Sequence, residues 1–481
     1  MMGTLRSVIF STVCVTMLLL GTLPVLAAPA GQRDDELECE DDWASLESEE
    51  FSGEFKVWAT CTGEYEEDLA ETRELIESFW QPMIEFMGVE PIPDEGTDIA
   101  GGDTAIDFYL VNDGEDIPER GLHTPQPEVP AYAMPQPSAE SDGGVASSSA
   151  VVLRRDMMGD PFFHFVLVHE FFHVLQQARN WQLAFNWDVR PDDDPEWDTL
   201  VMAEHWWTEA TADWAAGYFT RDLSRLDQTR ENRHRQMFGM YLDGSPDLPL
   251  HTPHQPNEPG WGFMYAAYIW FYFMEQEIGA DAVAEIWEEL AGLGPNDIDE
   301  AMAIIDAKFP FEDHFREFAV RNLNLELEPG DPIDPSYEDL DPEFPVGGIL
   351  TPPLIVGEDD DEAELPITEE DEDPRTFPDR LRSLTAHYYR FLPDSHGGQL
   401  LLDFSGLAPA ADLDVDVVMK IEDGEWERRR LAAGGAATLC LSDPDEEVEE
   451  LYLVLSNHNR DLFSVVEGEF TAQVLGEHCE E

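Results

Sequence analysis

Hydrophobic residues in the middle of the chain fall into stretches of helical length. The segment Pro161 to Ala178, PFFHFVLVHEFFHVLQQA, is almost continuously apolar and contains no helix breaker after its first proline, which a first helical turn tolerates. This pattern predicts a buried helix. A second helix is predicted in the aromatic-rich stretch Glu204 to Phe219, and a third in GWGFMYAAYIWFYFMEQ. Helical apolar spacing continues in ADAVAEIWEELAG, DIDEAMAIIDAKF and FEDHFREFAVRNL, which predicts a helical lobe.

The hydrophobic pattern changes towards the C-terminus. Residues 329–376 are rich in Pro, Asp and Glu and lack apolar periodicity, which indicates an extended acidic linker. In residues 377–481, short β-prone runs such as GQLLLDFSG and ELYLVLSN alternate with turn-forming residues, which predicts an antiparallel β-sandwich. Upstream, the stretch from Asn112 to Ser149 is rich in Pro, Gly and Ser without periodicity, and predicts a long loop.

The first predicted helix contains a motif typical of metal sites. Residues 169–173 read His-Glu-Phe-Phe-His, an HExxH motif. Because residues four apart share one face of a helix, His169 and His173 can bind one ion between them. Glu170 then lies beside the metal, where a general base can take a proton from the bound water. Such a string arises by chance in roughly one or two per cent of chains this long, so the surrounding pattern has to support it.

The second predicted helix supplies a third ligand. A catalytic zinc held by two histidines needs one more protein ligand, and Glu209 is the candidate. Asp213, one turn further on, can bind the outer nitrogen of a ligating histidine and fix its tautomer. His205 shares the helical face of Glu209, but three ligands and a water already complete a catalytic zinc, which favours another role for it. His164 falls off the ligand face and is interpreted as structural.

These residues resemble the gluzincin branch of the zincin metallopeptidases, which includes thermolysin-like enzymes. In that family an HExxH helix is followed by a Glu on a later helix and by an acidic residue four positions further. The resemblance implies an α+β zincin catalytic domain over residues 52–328, with a mixed sheet and a helical lobe. It also implies strand, helix, strand and strand, in that order, in GEFKVWATCTG, EEDLAETRELIESFWQPMIEFMG, TAIDFYLVN and SSSAVVLRRDM. The implied site consists of the zinc ligands His169, His173 and Glu209, the base Glu170, and Asp213 as the residue that orients His169.

Two departures from the family pattern concern the activity. Thr208 stands where thermolysin-like enzymes have Asn before the third ligand, and the sequence lacks the GxMEN string of the gluzincin aminopeptidases, which favours endopeptidase over exopeptidase action. Zincins of this type also use a Tyr or His to hydrogen-bond the oxyanion, a contact that lowers the barrier by roughly 3 kcal/mol. Tyr265 is the first candidate, Tyr268 the second, and His251 or His254 the third. For each tyrosine, a packed core aromatic is the alternative interpretation.

In zincins, an edge strand before the active helix holds extended substrate by main-chain pairing. Because the loop from Asn112 to Ser149 precedes the predicted strand AVVLRRDM, its position alone leads us to expect that it borders the cleft as a lid. The β-sandwich looks like the small modules that follow the catalytic domains of secreted proteases.

The N-terminus predicts export. Residues 1–30 have the features of a signal peptide: a positive charge at Arg6, an apolar run from Val8 to Leu26, and small residues after it. Pro24 and the small residues favour cleavage over an uncleaved signal anchor, so we expect a secreted protein, extracellular, periplasmic or at the cell surface, without stable membrane insertion. Residues 31–51 form an acidic N-terminal segment.

The number of cysteines is consistent with an exported protein. Four follow the signal peptide, and an even number in an exported chain favours disulfides. Their pairing cannot be deduced from sequence, but proximity along the chain favours Cys39 with Cys61 and Cys440 with Cys479.

The net charge of the chain limits which molecules it can bind. The net charge is −78, from 104 acidic and 26 basic residues. Such a field repels phosphate, which excludes nucleic acid as a partner, and it destabilises the folded state unless salt screens it. Adaptation to saline surroundings and binding of divalent cations by the acidic surface are both compatible with this charge, although no EF-hand loop is present in the sequence.

The sequence therefore predicts a secreted zinc endopeptidase acting on a peptide or protein substrate. One alternative is an exported binding or adhesion protein that retains a zincin scaffold. The intact Glu170 argues against it, because a structural zinc site needs no general base and normally closes its fourth position. A second alternative is a zinc hydrolase that acts on a non-peptide amide or ester.

Overall fold

The computed structural model describes residues 43–94, 104–112, 125, 130–136, 145–184, 195–221, 223–244, 248–251, 263–294, 297–323, 366–367, 374–393, 399–421, 426–443, 446–461 and 464–475. The predicted signal peptide, most of the acidic linker, Cys39, Cys479 and His254 lie outside these residues. Among the helices described, none has the length and apolar character that crossing a bilayer requires.

A five-stranded mixed sheet forms the first layer. Its strands are β1 (Trp43–Glu47), β2 (Phe55–Thr60), β3 (Ile106–Val111), β4 (Ala131–Gln136) and β5 (Ser148–Arg154). They lie in the order β1-β2-β3-β5-β4. The central strands β2, β3 and β5 are parallel, and the edge strands β1 and β4 are antiparallel to their neighbours. All six residues of β3 are buried, as expected of a strand covered on both faces.

Helix α1 (Tyr65–Met87) connects β2 to β3, as a parallel crossover requires. Its first turn contains three acidic residues, which favour the positive end of a helix. It ends at Gly88, whose left-handed conformation (φ 61°) closes the last turn. The predicted order of strand, helix, strand and strand is present, with the additional strand β4 inserted before β5.

The helical layer contains the two long helices that the apolar pattern predicts. These are α2 (Phe162–Ala184) and α3 (Pro195–Phe219), and they pack against each other. The residues described after α3 form six further α-helices: α4 (Asp227–Gly244), α5 (Phe263–Ala266), α6 (Tyr268–Ile278), α7 (Asp281–Leu290), α8 (Ile298–Lys308) and α9 (Phe311–Arg321). Helix α2 also packs on β4 and β5, so it lies between the sheet and the other helices.

Three sequence-based expectations differ from the structure. The predicted loop from Asn112 to Ser149 contains strand β4, which forms the edge of the sheet. The predicted third helix is two helices, α5 and α6, separated at Ala267. Helix α2 continues beyond its predicted end and bends at Asn180, where the backbone is not helical (φ −159°, ψ 89°). The buried Asn180 amide donates to the carbonyls of Leu290 and Leu293, contacts between distant segments that local periodicity does not reveal.

The C-terminal part consists of antiparallel sheets, as predicted. The strands are β6 (Pro366–Ile367), β7 (Arg375–Arg382), β8 (Thr385–Pro393), β9 (Gln399–Asp403), β10 (Leu413–Ile421), β11 (Trp426–Leu431), β12 (Ala436–Cys440), β13 (Ser442–Asp443), β14 (Glu446–Asn457) and β15 (Val465–Leu475). One sheet has the order β11-β10-β14-β8-β6 with β13 on β14, and the other has the order β12-β9-β15-β7. The short β6 is parallel to β8, while the remaining pairs described are antiparallel. Apolar residues from both sheets form one core.

The outer face of the larger C-terminal sheet packs on helix α9. Ala319, Val320 and Leu323 share a buried cluster with Val418 and Tyr452 of this sheet. Charged groups surround the cluster: the buried carboxylate of Asp416 is paired with Arg316 of α9 and with Arg428 of β11. The sheets and the helical part therefore share a packed boundary.

Two of the four cysteines expected to be oxidised lie among the described residues. Cys61 and Cys440 are each disulfide-bonded. Both predicted partners, Cys39 and Cys479, lie outside the described part of the chain, so the pairing stays a prediction.

Candidate metal centre

Helices α2 and α3 bring the predicted ligands together. His169 and His173 lie one turn apart on the face of α2 that packs on α3, and Glu209 lies opposite them on α3. Both histidines are buried, with 9% and 7% of their surfaces exposed, while the Glu209 side chain is 19% exposed. The three side chains therefore meet in a mostly buried site, and Glu209 is the most exposed of them.

The separations between the three ligand atoms match a metal site. The Nε2 atoms of His169 and His173 are 3.0 Å apart, and Glu209 Oε2 lies 3.2 Å from the first and 3.3 Å from the second. Neighbouring ligands of a tetrahedral zinc with bonds of 2.0–2.1 Å are about 3.3 Å apart. Among the described residues, this is the group of His, Cys, Asp and Glu side chains that could hold a metal ion.

The hydrogen bonds of the two histidine Nδ1 atoms explain why the site needs a cation. His169 Nδ1 lies 3.2 Å from Asp213 Oδ1, and His173 Nδ1 lies 2.7 Å from Gln176 Oε1. Both partners are hydrogen-bond acceptors, so each Nδ1 donates and each neutral ring has a lone pair on Nε2. Two lone pairs and a carboxylate oxygen then converge on one point, and only a positive charge makes this arrangement favourable.

The pKa values of His169 and Glu209 also indicate that the site needs a positive charge. Burial by itself would lower the pKa of His169, but hydrogen bonds to Asp213 and Glu209, together with their charges, raise it to about 10. Burial would raise the pKa of Glu209, yet the two histidine rings beside its carboxylate keep the pKa well below its usual value. Without a metal, a proton on His169 supplies the positive charge that the site requires.

Glu170 lies beside the ligands without belonging to them. Its side chain is buried, and Oε2 has no hydrogen-bond partner among the described residues. Burial raises the pKa of Glu170, opposed by the charges of His169 and His173 and by a backbone hydrogen bond from Ala133. A buried carboxylate oxygen without a protein partner is costly unless water or another ligand binds to it. This arrangement is what a proton-transferring group beside a metal needs.

The structure also brings Tyr265 to the cluster. Its ring centroid lies 5.9 Å from that of His169, the residue is half-buried, and its hydroxyl makes no hydrogen bond to any described residue. Burial, together with the charges of Glu209, Glu170 and Asp213, raises its pKa well above the usual value, so the hydroxyl stays protonated. It is therefore an available hydrogen-bond donor at the edge of the site.

The other candidates for that position are placed differently. The Tyr268 hydroxyl lies 2.9 Å from Nδ1 of His234 and so already has a partner. His251 is buried against Ser383 of the C-terminal part, 3.4 Å from its Oγ, and no contact joins it to the cluster in the described part of the chain. His254 and the side chain of His205 lie outside the described residues.

Two residues at the site are absent from the sequence-based prediction. Gln176 binds His173 as described above. Arg233 of α4 holds the carboxylate of Asp213, with Nη2 at 3.0 and 2.7 Å from the two oxygens, and its charge helps to lower the pKa of Asp213 against the effect of burial. Gln176 follows His173 by one helical turn, a spacing that the sequence does offer, whereas nothing in the pattern around Arg233 points to Asp213.

Comparison with protein-family models and with curated proteins finds no match to this chain. Its function is therefore inferred from the residues of the site.

Proposed function

We propose that the protein is a secreted zinc-dependent metallopeptidase of the zincin type, an endopeptidase that acts on peptide or protein substrates. The observation that carries this proposal is the convergence of His169 Nε2, His173 Nε2 and Glu209 Oε2 at separations of 3.0–3.3 Å, next to the unpartnered Oε2 of Glu170. A site built only to hold a metal for stability has no need of this fourth group.

The donor set favours zinc over other common metals. Two imidazole nitrogens and one carboxylate oxygen at tetrahedral spacing are the ligand set of catalytic zinc, whereas calcium and magnesium prefer six or more oxygen ligands. When bound here, zinc supplies the Lewis acidity that polarises a carbonyl and activates water.

Glu170 is the proton carrier of the proposed reaction. Its Oε2 accepts a proton from the attacking water and then delivers it to the amide nitrogen, which leaves as an amine. Burial raises the pKa of Glu170, and this is the direction that suits a carboxylate that both takes and gives a proton. The hydrogen bond from Ala133 of β4 holds the carboxylate in place.

Tyr265 donates a hydrogen bond to the carbonyl oxygen of the substrate as negative charge develops there. Its hydroxyl has no partner among the described residues, and its raised pKa keeps the proton on the oxygen. A donor placed where charge develops lowers the barrier by about 3 kcal/mol.

The edge strand β4 offers a place for an extended peptide. The amide of Arg154 donates to the carbonyl of Pro130, so the main-chain carbonyl of Pro130 points towards β5. The main-chain amide and carbonyl of the next residue, Ala131, therefore point away from β5, towards the free edge of the sheet. The carbonyl of Ala133 also faces outwards, but it accepts a hydrogen bond from Gln177 of α2. Pro135 has no amide hydrogen to donate. We therefore expect a peptide to pair with β4 mainly at Ala131.

The proposal is tested with purified protein and the variant Glu170→Gln. We expect the wild type to bind one zinc per chain and to cleave unfolded casein. The variant should keep its zinc and lose activity by a factor of about 10² to 10⁴, since general acid–base catalysis contributes this much. Lys308→Met, which removes a charge paired with Glu285 on a distant helix surface, is the control and should retain activity. Zinc binding without cleavage by the wild type would contradict the proposal and favour the binding-protein alternative.

A further inference from the structure

Gln176 connects the second histidine ligand to helix α3. Its Oε1 is 2.7 Å from His173 Nδ1, and its Nε2 donates to the main-chain oxygen of Thr208 at 3.0 Å and to Oγ1 of Thr211 at 2.9 Å. The side chain is fully buried. Both amide hydrogens and the amide oxygen are therefore used inside the protein.

The carbonyl of Thr208 fixes the orientation of this amide. A main-chain carbonyl only accepts hydrogen bonds, so the amide atom that faces it must be the nitrogen. With the amide turned over, Gln176 Oε1 would face the oxygen of Thr208, and two buried acceptors would oppose each other. Thr211 cannot relieve this contact, because its hydroxyl already donates to the carbonyl of Trp207 at 2.7 Å.

The fixed amide in turn determines the state of the histidine ring. Because Oε1 accepts, Nδ1 of His173 must carry the proton, and Nε2 is left with the lone pair that faces Glu209 and His169. Thr208 directly precedes Glu209. The same turn of α3 thus presents the carboxylate ligand and, through Gln176, selects the ring nitrogen that joins it.

We propose that Gln176 is a positioning residue that selects the metal-binding tautomer of His173. The inference rests on the metal site of the proposed function and is independent of peptide hydrolysis. It also assigns a role to a residue three positions after the HExxH motif, on the same helix as the two histidine ligands.

Three substitutions separate this role from simple packing. Gln176→Met has a similar length and removes all three hydrogen bonds. Gln176→Glu keeps an acceptor for the His173 proton but loses both donors to α3. Gln177→Met is the matched control, because Gln177 is equally buried and donates to the carbonyl of Ala133, but contacts no metal ligand.

The measurements are the zinc dissociation constant, from competition with a chromophoric chelator, and the tautomer of His173 in the metal-free protein, from proton–nitrogen NMR of histidine-labelled samples. We expect Gln176→Met to weaken zinc binding about 10- to 100-fold, the usual effect of removing a partner of a ligating histidine, and to lose the Nδ1-protonated signal. Gln176→Glu should bind zinc within about threefold of the wild type, although it unfolds at a lower temperature. Gln177→Met should be destabilised without weaker zinc binding.

The opposite results would overturn the inference. Wild-type affinity and an unchanged tautomer in Gln176→Met would show that Gln176 does not select the tautomer. Equal loss of affinity in the Met and Glu variants would show that it only ties the helices together. A wild type that binds no zinc would overturn both this inference and the proposed function, whereas unchanged binding in Gln176→Met overturns this inference alone.

Discussion

Asp213 accepts a hydrogen bond from Nδ1 of His169 at 3.2 Å, and so directs the other ring nitrogen of that histidine towards Glu209. Asp213 therefore orients a ligand, although its own carboxylate is not one of the three ligands. We predict that Asp213→Asn weakens zinc binding about 10- to 100-fold, because the amide is a weaker acceptor and leaves the tautomer less restricted. Competition with a chelator measures the effect. Asp297→Asn, at the start of α8, is the control for an acid-to-amide change and should bind zinc normally.

Zinc affinity should depend on pH through His169. The pKa of this ring is about 10 without a metal, so at neutral pH each bound ion must displace its proton. The apparent affinity should therefore rise about tenfold per pH unit from pH 6 to 9. Calorimetry in buffers of different ionisation enthalpy would detect the released proton. An affinity independent of pH over this range would contradict the prediction.

The stability of the metal-free protein should show the opposite pH dependence. The folded pKa of His169 is raised above the unfolded value of about 6.5, so its contribution is complete below pH 6.5 and is lost as the pH rises towards 10. We expect urea midpoints of metal-free protein to fall across this window, and His169→Gln to reduce the change. A wild type and a variant with parallel pH profiles would argue against the coupling.

The boundary between α9 and the C-terminal sheet should contribute strongly to stability. Asp416 is buried and paired with Arg316 and Arg428. Asp416→Asn removes the charge that these guanidinium groups share, and we expect a loss of about 3 kcal/mol or more in the free energy of unfolding. The exposed pair of Glu427 with Arg429 on the same sheet is the control, and Glu427→Gln should cost less than about 1 kcal/mol. Equal effects of the two substitutions in urea unfolding would contradict this account.

Salt should stabilise the folded protein. With a net charge of −78, repulsion between carboxylates opposes folding until counterions screen it. We expect the unfolding temperature to rise by about 5 °C or more between 0.05 and 1 M sodium chloride. A response that saturates at millimolar calcium and is reversed by a chelator would instead indicate that the acidic surface binds divalent cations.

Local periodicity accounts for what could be predicted of the site. His169 and His173 are one turn apart on one helix, and Glu209 and Asp213 are one turn apart on another, so the helical repeat alone places each pair on a common face. Glu170 directly follows His169 and so lies beside the first ligand. Glu209 on α3 is predicted because a catalytic zinc needs a third protein ligand, and the resemblance to known metallopeptidases implies the same residue. The structure brings Glu209 to the two histidines. The helices α7, α8 and α9 also agree with their apolar spacing.

The features that could not be predicted depend on contacts between distant segments. Strand β4 contains Pro135 and lies in a stretch rich in breakers, and it exists because it pairs with β5. The link from Arg233 to Asp213 joins α4 to α3, and that from Gln176 to Thr208 joins α2 to α3. Such partners are chosen by packing, and a single sequence contains no periodic signal for them.

The zinc content of purified protein tests the central claim most directly. After dialysis against buffer containing trace zinc, wild-type protein should retain about one zinc per chain, and Glu209→Ala should retain almost none, because it loses one of three ligands. His205→Ala, one turn away on the same helix, should retain zinc nearly as well as the wild type. Retention of zinc by Glu209→Ala, with loss of zinc from His205→Ala, would show that the metal is held by a different set of residues.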